Sequence, residues 1–247
     1  MTALRAVREI AHGKRLAQHD PESVWGWGTP AGRLRASRRA QVIAAGAGLG
    51  PGVLALEIGC GTGLFTEMFA QTGAQLVALD ISAELLEKAR ARGIPSDKVQ
   101  FLERRFEDSD IGGPFDSVVG SSILHHLDLE TALPRIFELL KPGGVMSFAE
   151  PNMLNPQILF QKNVPWLKKR MGDSPDETAF VRWRIGALLL RAGFERVEVT
   201  PFDWLHPATP VTLMRTVRSL GAILERIPVM REFAGSLHIR CYRPQKS

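Results

Sequence analysis

Leu56-Glu57-Ile58-Gly59-Cys60-Gly61-Thr62-Gly63 is the stretch that decides the fold. The mostly apolar run over 53–58 predicts a short buried strand of a parallel sheet, and the spacing over 64–72 predicts a helix directly after the glycines. Three closely spaced glycines allow a tight turn and let a ligand approach the backbone. A second apolar run, over 76–79, ends on Asp80, at the sheet edge where open α/β folds bind ligands. A carboxylate there can accept both hydroxyls of a ribose, so the unit predicts a nucleoside-cofactor site.

The spacing of the glycines distinguishes between cofactor classes. A dinucleotide-binding loop has the pattern G-x-G-x-x-G, but here glycine comes one residue early, at Gly63, and Leu64 occupies the third position. The segment 56–63 instead resembles motif I of the class I S-adenosylmethionine-dependent methyltransferases, in which an acid such as Glu57 precedes the glycines. The resemblance implies S-adenosylmethionine as the cofactor, with Glu57 at its cationic methionine end and Asp80 at its ribose.

The resemblance continues through the centre of the chain. Residues 115–127 resemble motif IV in the small-molecule branch of this family, and the Leu-Lys-Pro-Gly-Gly sequence at 140–144, a predicted turn before a strand, is also similar. The cofactor-binding residues that the resemblance implies are Glu57, Gly59, Cys60, Gly61, Gly63, Asp80, Ile81, Phe106, Glu107 and Ser121.

One segment departs from the family pattern. Where the family commonly has Gly-Asp, which supplies the acid for the adenine amino group, this chain has Arg104-Arg105. We expect Glu107 or Asp108 to substitute for that acid, and Phe106 to cover the adenine ring.

Alternation of strands and helices predicts the fold class, a doubly wound α/β sheet. After the first two strands, further strands are predicted at 99–102, 115–122, 145–150, 196–200 and 237–242. The resemblance implies a Rossmann-like sheet of seven strands, with the last strand antiparallel.

The N-terminal residues 1–50 are predicted to form a helical extension, with a helix at 36–47. Trp25, Trp27 and Arg33 lie among glycines in this extension. They either form a lid over the cofactor, with Arg33 reaching a carboxylate, or anchor the extension on the domain.

Residues 51–247 are predicted to form the methyltransferase domain, with insertions at about 151–178 and 202–236. We expect the extension and both insertions to build the acceptor pocket. The second insertion contains an amphipathic helix over 210–226 that we expect to pack as a lid, with contact to a membrane surface as the alternative.

Candidate catalytic residues follow the predicted strands. Methyl transfer from a sulfonium mainly requires in-line placement and exclusion of water, and a general base is needed only for a poor nucleophile such as a hydroxyl. His125 and His126 follow the fourth strand, and His206 follows the sixth. These three are the candidate bases, with packing or helix capping as their competing role, and Glu150 is a weaker candidate.

Cysteine content, ligand spacing and hydropathy limit the cellular compartment and the metal sites that the chain can be expected to have. Of 247 residues only Cys60 and Cys241 are cysteines, which favours a reducing, cytoplasmic location over a disulfide framework. Cys60 is expected to fill space in the glycine loop rather than to act as a nucleophile. No metal-ligand spacing is present, so no metal site is predicted. No signal core and no apolar run long enough for a membrane span are found.

Charge is distributed unevenly along the chain. Residues 53–150 contain 8 Lys and Arg against 15 Asp and Glu, although the whole chain has a net charge of +5. An acidic centre suits a cationic cofactor. The basic flanks are either a solvated exterior or attract an anionic acceptor, a membrane surface or nucleic acid.

These features predict transfer of a methyl group to a small-molecule or lipid-linked acceptor, with O- or C-methylation favoured. Residues 121–124 are Ser-Ser-Ile-Leu, where base methyltransferases usually carry Asn/Asp-Pro-Pro-aromatic or Pro-Cys, so DNA is not expected as a partner. A nucleic-acid methyltransferase, a catalytically silent cofactor-binding module and an NAD-dependent oxidoreductase stay open. The sequence does not define the acceptor atom or the oligomeric state.

Overall fold

A computed structural model describes residues 3–107, 110–164, 166 and 178–245. These residues form one seven-stranded sheet in the order β3-β2-β1-β4-β5-β7-β6. The strands are β1 (Leu54–Ile58), β2 (Gln75–Asp80), β3 (Val99–Glu103), β4 (Phe115–Ser121), β5 (Leu140–Pro151), β6 (Glu195–Phe202) and β7 (Ser236–Tyr242). Neighbours are parallel except that β7 runs antiparallel to β5 and β6. The predicted Rossmann-like sheet with an antiparallel last strand is confirmed.

Helices cover both faces of the sheet. The helices are α1 (Ala3–Ala17), α2 (Pro21–Val24), α3 (Pro30–Ala47), α4 (Leu64–Ala70), α5 (Ala83–Arg90), α6 (Leu129–Leu139), α7 (Pro156–Asn163), α8 (Arg182–Arg191), α9 (Val211–Leu224) and α10 (Pro228–Arg231). A short 3-10 turn, Leu124–His126, follows β4. The order of helices and strands matches the predicted alternation, while α3 begins earlier than the helix predicted at 36–47.

Neighbouring residues of the central strands point into two separate cores, because successive side chains of a strand lie on opposite faces. Leu56 and Phe148 belong to the core under α6 and α8. Ala55 and Ala149, one position away on the same strands, belong to the core under α3, α4 and α5. Burial on both faces explains why these strands are mostly apolar rather than alternating regularly with polar residues.

The strand order reverses between β1 and β4. β1 pairs with β2 on one side and with β4 on the other, so the loops that leave β1 and β4 diverge to opposite faces. Open α/β sheets bind ligands at such a switch point. The glycine loop at 59–63 and the histidines after β4 therefore flank the same crevice.

One local prediction is wrong. The Lys-Pro-Gly-Gly sequence is not a turn before β5 but a bulge within it, since Leu140 pairs with Phe115 and Val145 pairs with Ser117. Arg33 donates to the Gly28 carbonyl oxygen at 2.6 Å, and its contact with a cofactor carboxylate stays a prediction.

The last helix of the N-terminal extension is a layer of the domain. Ala36, Ala40 and Ile43 of α3 are buried in the core beneath it. Thr29 caps the helix by accepting the Gly32 amide at 2.9 Å. The earlier helices, α1 and α2, lie over the carboxyl edge of the sheet, where their residues line a cavity.

Candidate active site

A cavity of about 640 Å³ lies at the carboxyl edge of the sheet. It brings together most of the predicted site. The predicted cofactor residues in its lining are Gly59, Cys60, Gly61, Asp80, Ile81, Phe106, Glu107 and Ser121, and all three candidate bases, His125, His126 and His206, line it too. Glu57 and Gly63 are not in the lining.

The glycine loop needs its glycines for close packing as well as for turning. Gly59 has φ +67°, and a side chain there would lie 2.5 Å from the side chain of Ile123. Gly61 has φ +53°, and a side chain there would lie 3.3 Å from the ring of Trp25. Both positive φ values favour glycine. Without side chains at these two positions, the loop fits between Ile123, which follows β4, and Trp25 of the N-terminal extension.

Asp80 organises the backbone of the loop from the end of β2. One carboxylate oxygen accepts the Gly61 amide at 2.8 Å and the other accepts the Ser82 amide at 2.9 Å. Burial raises the pKa of Asp80, while the hydrogen bonds from the backbone oppose that shift. Each oxygen retains a lone pair, so the carboxylate fits a pair of ribose hydroxyls.

Glu57 and Gly63 support the loop from behind. Glu57 is buried, and its Oε2 makes no hydrogen bond within the described part of the chain. Burial raises the pKa of Glu57 to about 8, and the charge of Asp80 adds to the shift. A side chain at Gly63 would lie 2.9 Å from Ala89, so this glycine lets α4 approach α5.

The segment after β3 places one acid where the adenine partner is expected. Glu107 lines the cavity, and its Oε2 lies 3.6 Å from Nε of Arg105. Phe106 is also in the lining, although most of its side chain packs in the core. Asp108, the other acid considered, lies outside the described residues.

His125 and Glu150 form a buried pair within the cavity wall. Nδ1 of His125 lies 2.6 Å from Oε2 of Glu150, while the other carboxylate oxygen accepts the amides of Ile123 and Leu124 at 2.9 Å each. Burial alone would raise the pKa of Glu150, but His125 and these amides lower it below its usual value. The ionised carboxylate therefore fixes both the imidazole and the backbone that carries it.

The other two histidines have different partners. Nδ1 of His126 lies 3.2 Å from Oε2 of Glu9 in α1, at ion-pair distance. Nδ1 of His206 accepts the Ala208 amide at 3.1 Å, and its Nε2 lies 2.7 Å from the side-chain amide of Gln157. Burial lowers the pKa of His206, and nearby Arg35 adds to that effect. Both ring nitrogens of His206 are thus occupied, which leaves it less suited to accept a proton.

Arg39 is a site residue that sequence reasoning missed. Its guanidinium is buried at the carboxyl ends of β4 and β5 and the amino end of the antiparallel β7, where burial lowers its pKa to about 10. It donates to the hydroxyls of Ser121 at 2.8 Å, Ser122 at 2.9 Å and Ser236 at 2.9 Å, and also to the Ala149 carbonyl. Its position on the apolar side of α3, three residues after a buried alanine, is the signal that could have identified it.

The tryptophans of the N-terminal extension act both as cover and as anchor. Trp25 and Trp27 line the cavity. Trp27 packs edge-on against Phe65 of α4, with ring centroids 5.6 Å apart, whereas Trp25 lies over Gly61. Both tryptophans thus lie at the cavity, and Trp27 also packs the extension on the domain.

All three predicted cover segments contribute residues to the lining of the cavity. The first insertion supplies Gln157 and Ile158 of α7, and the second supplies Leu205 and His206. Much of residues 151–178 lies outside the described residues, so only its first part can be placed. None of the described residues of α9 is in the lining, although this helix was expected to act as a lid.

Comparison with known proteins identifies the central part of the chain. Residues 56–146 match the family model described as "Methyltransferase domain". A ubiquinone biosynthesis O-methyltransferase from Xanthomonas oryzae pv. oryzae (strain PXO99A) is 37% identical over 105 residues, which cover 41% of this chain and 44% of that protein. The chain thus spans less than half the length of the curated relatives it matches.

Solved structures match nearly the whole chain at low identity. The N-methyltransferase NodS from Bradyrhizobium japonicum WM9, in complex with S-adenosyl-L-homocysteine, has a TM-score of 0.64 at 18% identity and covers 96% of this chain and 98% of its own. A possible histamine N-methyltransferase from Thermotoga maritima has a TM-score of 0.68 at 18% identity, covering 94% and 99%. These likenesses establish the fold, while the family match and the glycine motif identify the domain. The central part of the chain, residues 56–146, is therefore a methyltransferase domain, as the resemblance predicts.

Proposed function

We propose that the chain transfers the methyl group of S-adenosylmethionine to a hydroxyl of a small-molecule or lipid-linked acceptor, with His125 as the general base. The observation that carries this proposal is the buried pair of His125 and Glu150, 2.6 Å apart. The pair lies in the same cavity wall as the residues that fit the cofactor.

The cofactor end of the cavity fits the adenosyl and methionine parts of the cofactor. Asp80 accepts the ribose hydroxyls, Glu107 faces the adenine, and Gly59 and Gly61 allow close approach of the ligand to the backbone. Glu57 does not line the cavity, so its role is to position the glycine loop rather than to contact the cofactor. When bound, the cofactor supplies an electrophilic methyl group on a positively charged sulfur.

Glu150 gives His125 the features of an oriented base. If Nδ1 donates to the ionised carboxylate, Nε2 is the nitrogen that accepts a proton. The carboxylate also stabilises the imidazolium that forms. Because an alcohol or phenol is a poor nucleophile until it loses its proton, this pair favours oxygen over an already nucleophilic amine.

The acceptor end favours a largely apolar acceptor. Aromatic and aliphatic side chains contribute to this part of the lining, including Trp25, Trp27, Ile158, Trp204 and Leu205. An aromatic ring can stack on such a surface, while the hydroxyl that accepts the methyl group meets the polar residues at the centre. The curated relative named an O-methyltransferase is consistent with this class of acceptor.

Transfer of a labelled methyl group tests the proposal. The protein is incubated with S-adenosylmethionine labelled on its methyl group and with an extract of source cells, which is then separated into small-molecule, lipid, RNA and protein fractions. We expect label in the small-molecule or lipid fraction, lost in Asp80→Ala, and resistant to cleavage conditions that release methyl esters.

Other distributions of label would contradict the proposal. Label in RNA would instead support a nucleic-acid methyltransferase. Absence of label in every fraction, with tight binding of S-adenosylhomocysteine, would support a silent cofactor-binding module.

A further inference from the structure

The chain has an exposed apolar surface on α9 and α10. Its large exposed side chains are Val211, Leu213, Leu220, Ile223, Ile227, Val229, Met230 and Phe233, and we call this surface the α9 face. Gly221 is buried, and a side chain there would lie 3.0 Å from Trp204. α9 therefore rests on the domain along one narrow edge and leaves much of its apolar surface uncovered.

Helical spacing arranges the α9 face in two stripes. Leu213, Leu220 and Ile223 follow one another at seven and three residues, which places them on one side of the helix. Arg215 and Arg218 are exposed and, at about 100° per residue, lie largely on the opposite side of the helix. A helix of 14 residues with this division can lie in the plane of a membrane interface, with its apolar side in the acyl region and its arginines among the headgroups.

The helix that carries the α9 face is positively charged. α9 contains arginine but no acidic residue, and Arg226, which follows it, is also exposed. The acids that come next are paired within the domain. Oε2 of Glu225 lies 2.6 Å from Nη2 of Arg38, and Oε2 of Glu232 lies 3.1 Å from Nε of Arg182. The arginines are therefore suited to phosphate groups of anionic lipids.

The α9 face adjoins the acceptor end of the cavity. α9 begins three residues after Ala208, which lines the cavity. α7 shows the same arrangement, because Ile158 lines the cavity while Leu159 and Phe160 of the same helix are exposed. An acceptor with a long apolar chain could therefore enter the cavity from a membrane without crossing water.

We propose that the α9 face binds the surface of a membrane that contains anionic lipid. None of the described helices is long and apolar enough to span a bilayer, so the contact is with the surface. A second copy of the chain is a poorer occupant, because a symmetric contact would bring the same arginines together. The proposal does not depend on the acceptor or the base, since membrane binding is measured without either.

Sedimentation with lipid vesicles tests the proposal on the full chain. We expect binding to vesicles of phosphatidylcholine with about one third phosphatidylglycerol, weaker binding to phosphatidylcholine alone, and weaker binding as salt increases. Leu220→Asp with Ile223→Asp should lower vesicle affinity about tenfold or more. Arg215→Gln with Arg218→Gln should lower it about fivefold or more, but only for the anionic vesicles.

Leu190→Asp is the matched control. Leu190 is 60% exposed and Leu220 is 55% exposed, but Leu190 belongs to α8, which covers the opposite side of the sheet from α3. This variant should bind vesicles as the unmodified chain does, and all variants should retain affinity for S-adenosylhomocysteine. Failure of the unmodified chain to bind anionic vesicles, or equal binding by the Leu220 and Ile223 variant, would overturn the proposal. A dimer that this variant dissociates, without vesicle binding, would assign the α9 face to a second copy.

Discussion

The end of the cavity that we propose for the cofactor and the end that we propose for the acceptor are built in different ways. At the cofactor end, Gly59 and Asp80 belong to one strand–loop–helix–strand unit of consecutive residues and meet through the β1–β2 pairing. At the acceptor end, Trp27, Gln157 and His206 come from three distant segments that all reach the same wall. The cofactor end is therefore a local motif, whereas the acceptor end depends on tertiary contacts.

Long-range polar contacts hold the acceptor end together. The Thr29 hydroxyl donates to the Pro207 carbonyl at 2.7 Å across 178 positions of sequence. Arg35 contacts Asp203 at 2.8 Å, also between the N-terminal extension and the second insertion. Changes in these segments can alter the acceptor while the cofactor loop keeps its geometry.

His125→Gln should have the largest effect, because His125 lies where the two ends meet. We expect the methyl transfer rate to fall about 10²-fold to 10⁴-fold, since removing a general base costs this much, with little change in affinity for S-adenosylhomocysteine. Single-turnover assays with the labelled acceptor fraction measure the rate. His126→Gln, the neighbouring control, should lose less than about tenfold. Equal losses in both variants would contradict the assignment of the base to His125.

Arg39→Met tests whether the acceptor end depends on contacts made by α3. Removing the guanidinium leaves three serine hydroxyls and a carbonyl without their donor, so we expect a loss of about 2–4 kcal/mol in the free energy of unfolding. The melting temperature should fall by about 10 °C. Arg33→Met removes an exposed arginine of the same helix and should change stability by less than about 0.5 kcal/mol. Similar stability of the two variants would contradict the buried role of Arg39.

Asp80→Asn tests whether the affinity for the cofactor depends on one end of the cavity only. Loss of charge-assisted hydrogen bonds to the ribose should weaken S-adenosylhomocysteine binding by about 30-fold to 100-fold, as measured by calorimetric titration. Asp203→Asn is the matched change at the acceptor end and should alter that affinity by less than about threefold. Comparable losses in both variants would contradict the division of the cavity into two independently built ends.

Glu57→Gln should have the smallest effect and concerns stability rather than binding. The folded pKa of Glu57 is about 8, above the ordinary 4.5, so between these pH values the unfolded state loses a proton that the folded state retains. This carboxyl therefore lowers stability as pH rises through that window. Denaturant unfolding measures the free energy of unfolding at pH 5 and pH 8. Between these pH values it should decline by about 1–3 kcal/mol more for the unmodified chain than for Glu57→Gln. Glu84→Gln, a change at a half-buried position in the first turn of α5, should keep the original decline; an identical decline in Glu57→Gln would refute the raised pKa.

The cofactor end could be predicted because its determinants are local. The order of strand, glycines, helix and acid predicts where Gly61 and Asp80 meet, and the structure joins them at 2.8 Å. Sequence order could not show that Glu57 lies behind the loop, because neighbouring strand residues face opposite sides only once the register is known. The packing role of Gly63 against Ala89 likewise depends on how two helices approach each other.

The acceptor end could be predicted only as a set of segments. The sequence indicates that the extension and both insertions cover the cavity, but it does not pair Arg35 with Asp203 or place Arg39 among Ser121, Ser122 and Ser236. Those contacts join residues that are 82 to 197 positions apart. The expected lid helix α9 is amphipathic as predicted, yet its apolar side chains are largely exposed, because amphipathicity alone does not identify the surface that covers a helix.

Titration of the unmodified chain with S-adenosylhomocysteine and, separately, with NAD tests the central claim most directly. The claim is that the loop with Leu64 in place of a third glycine, together with Asp80, forms a site for S-adenosylmethionine. We predict binding of one S-adenosylhomocysteine per chain and no measurable heat with NAD. Binding of NAD, or no binding of S-adenosylhomocysteine by a folded chain, would contradict it.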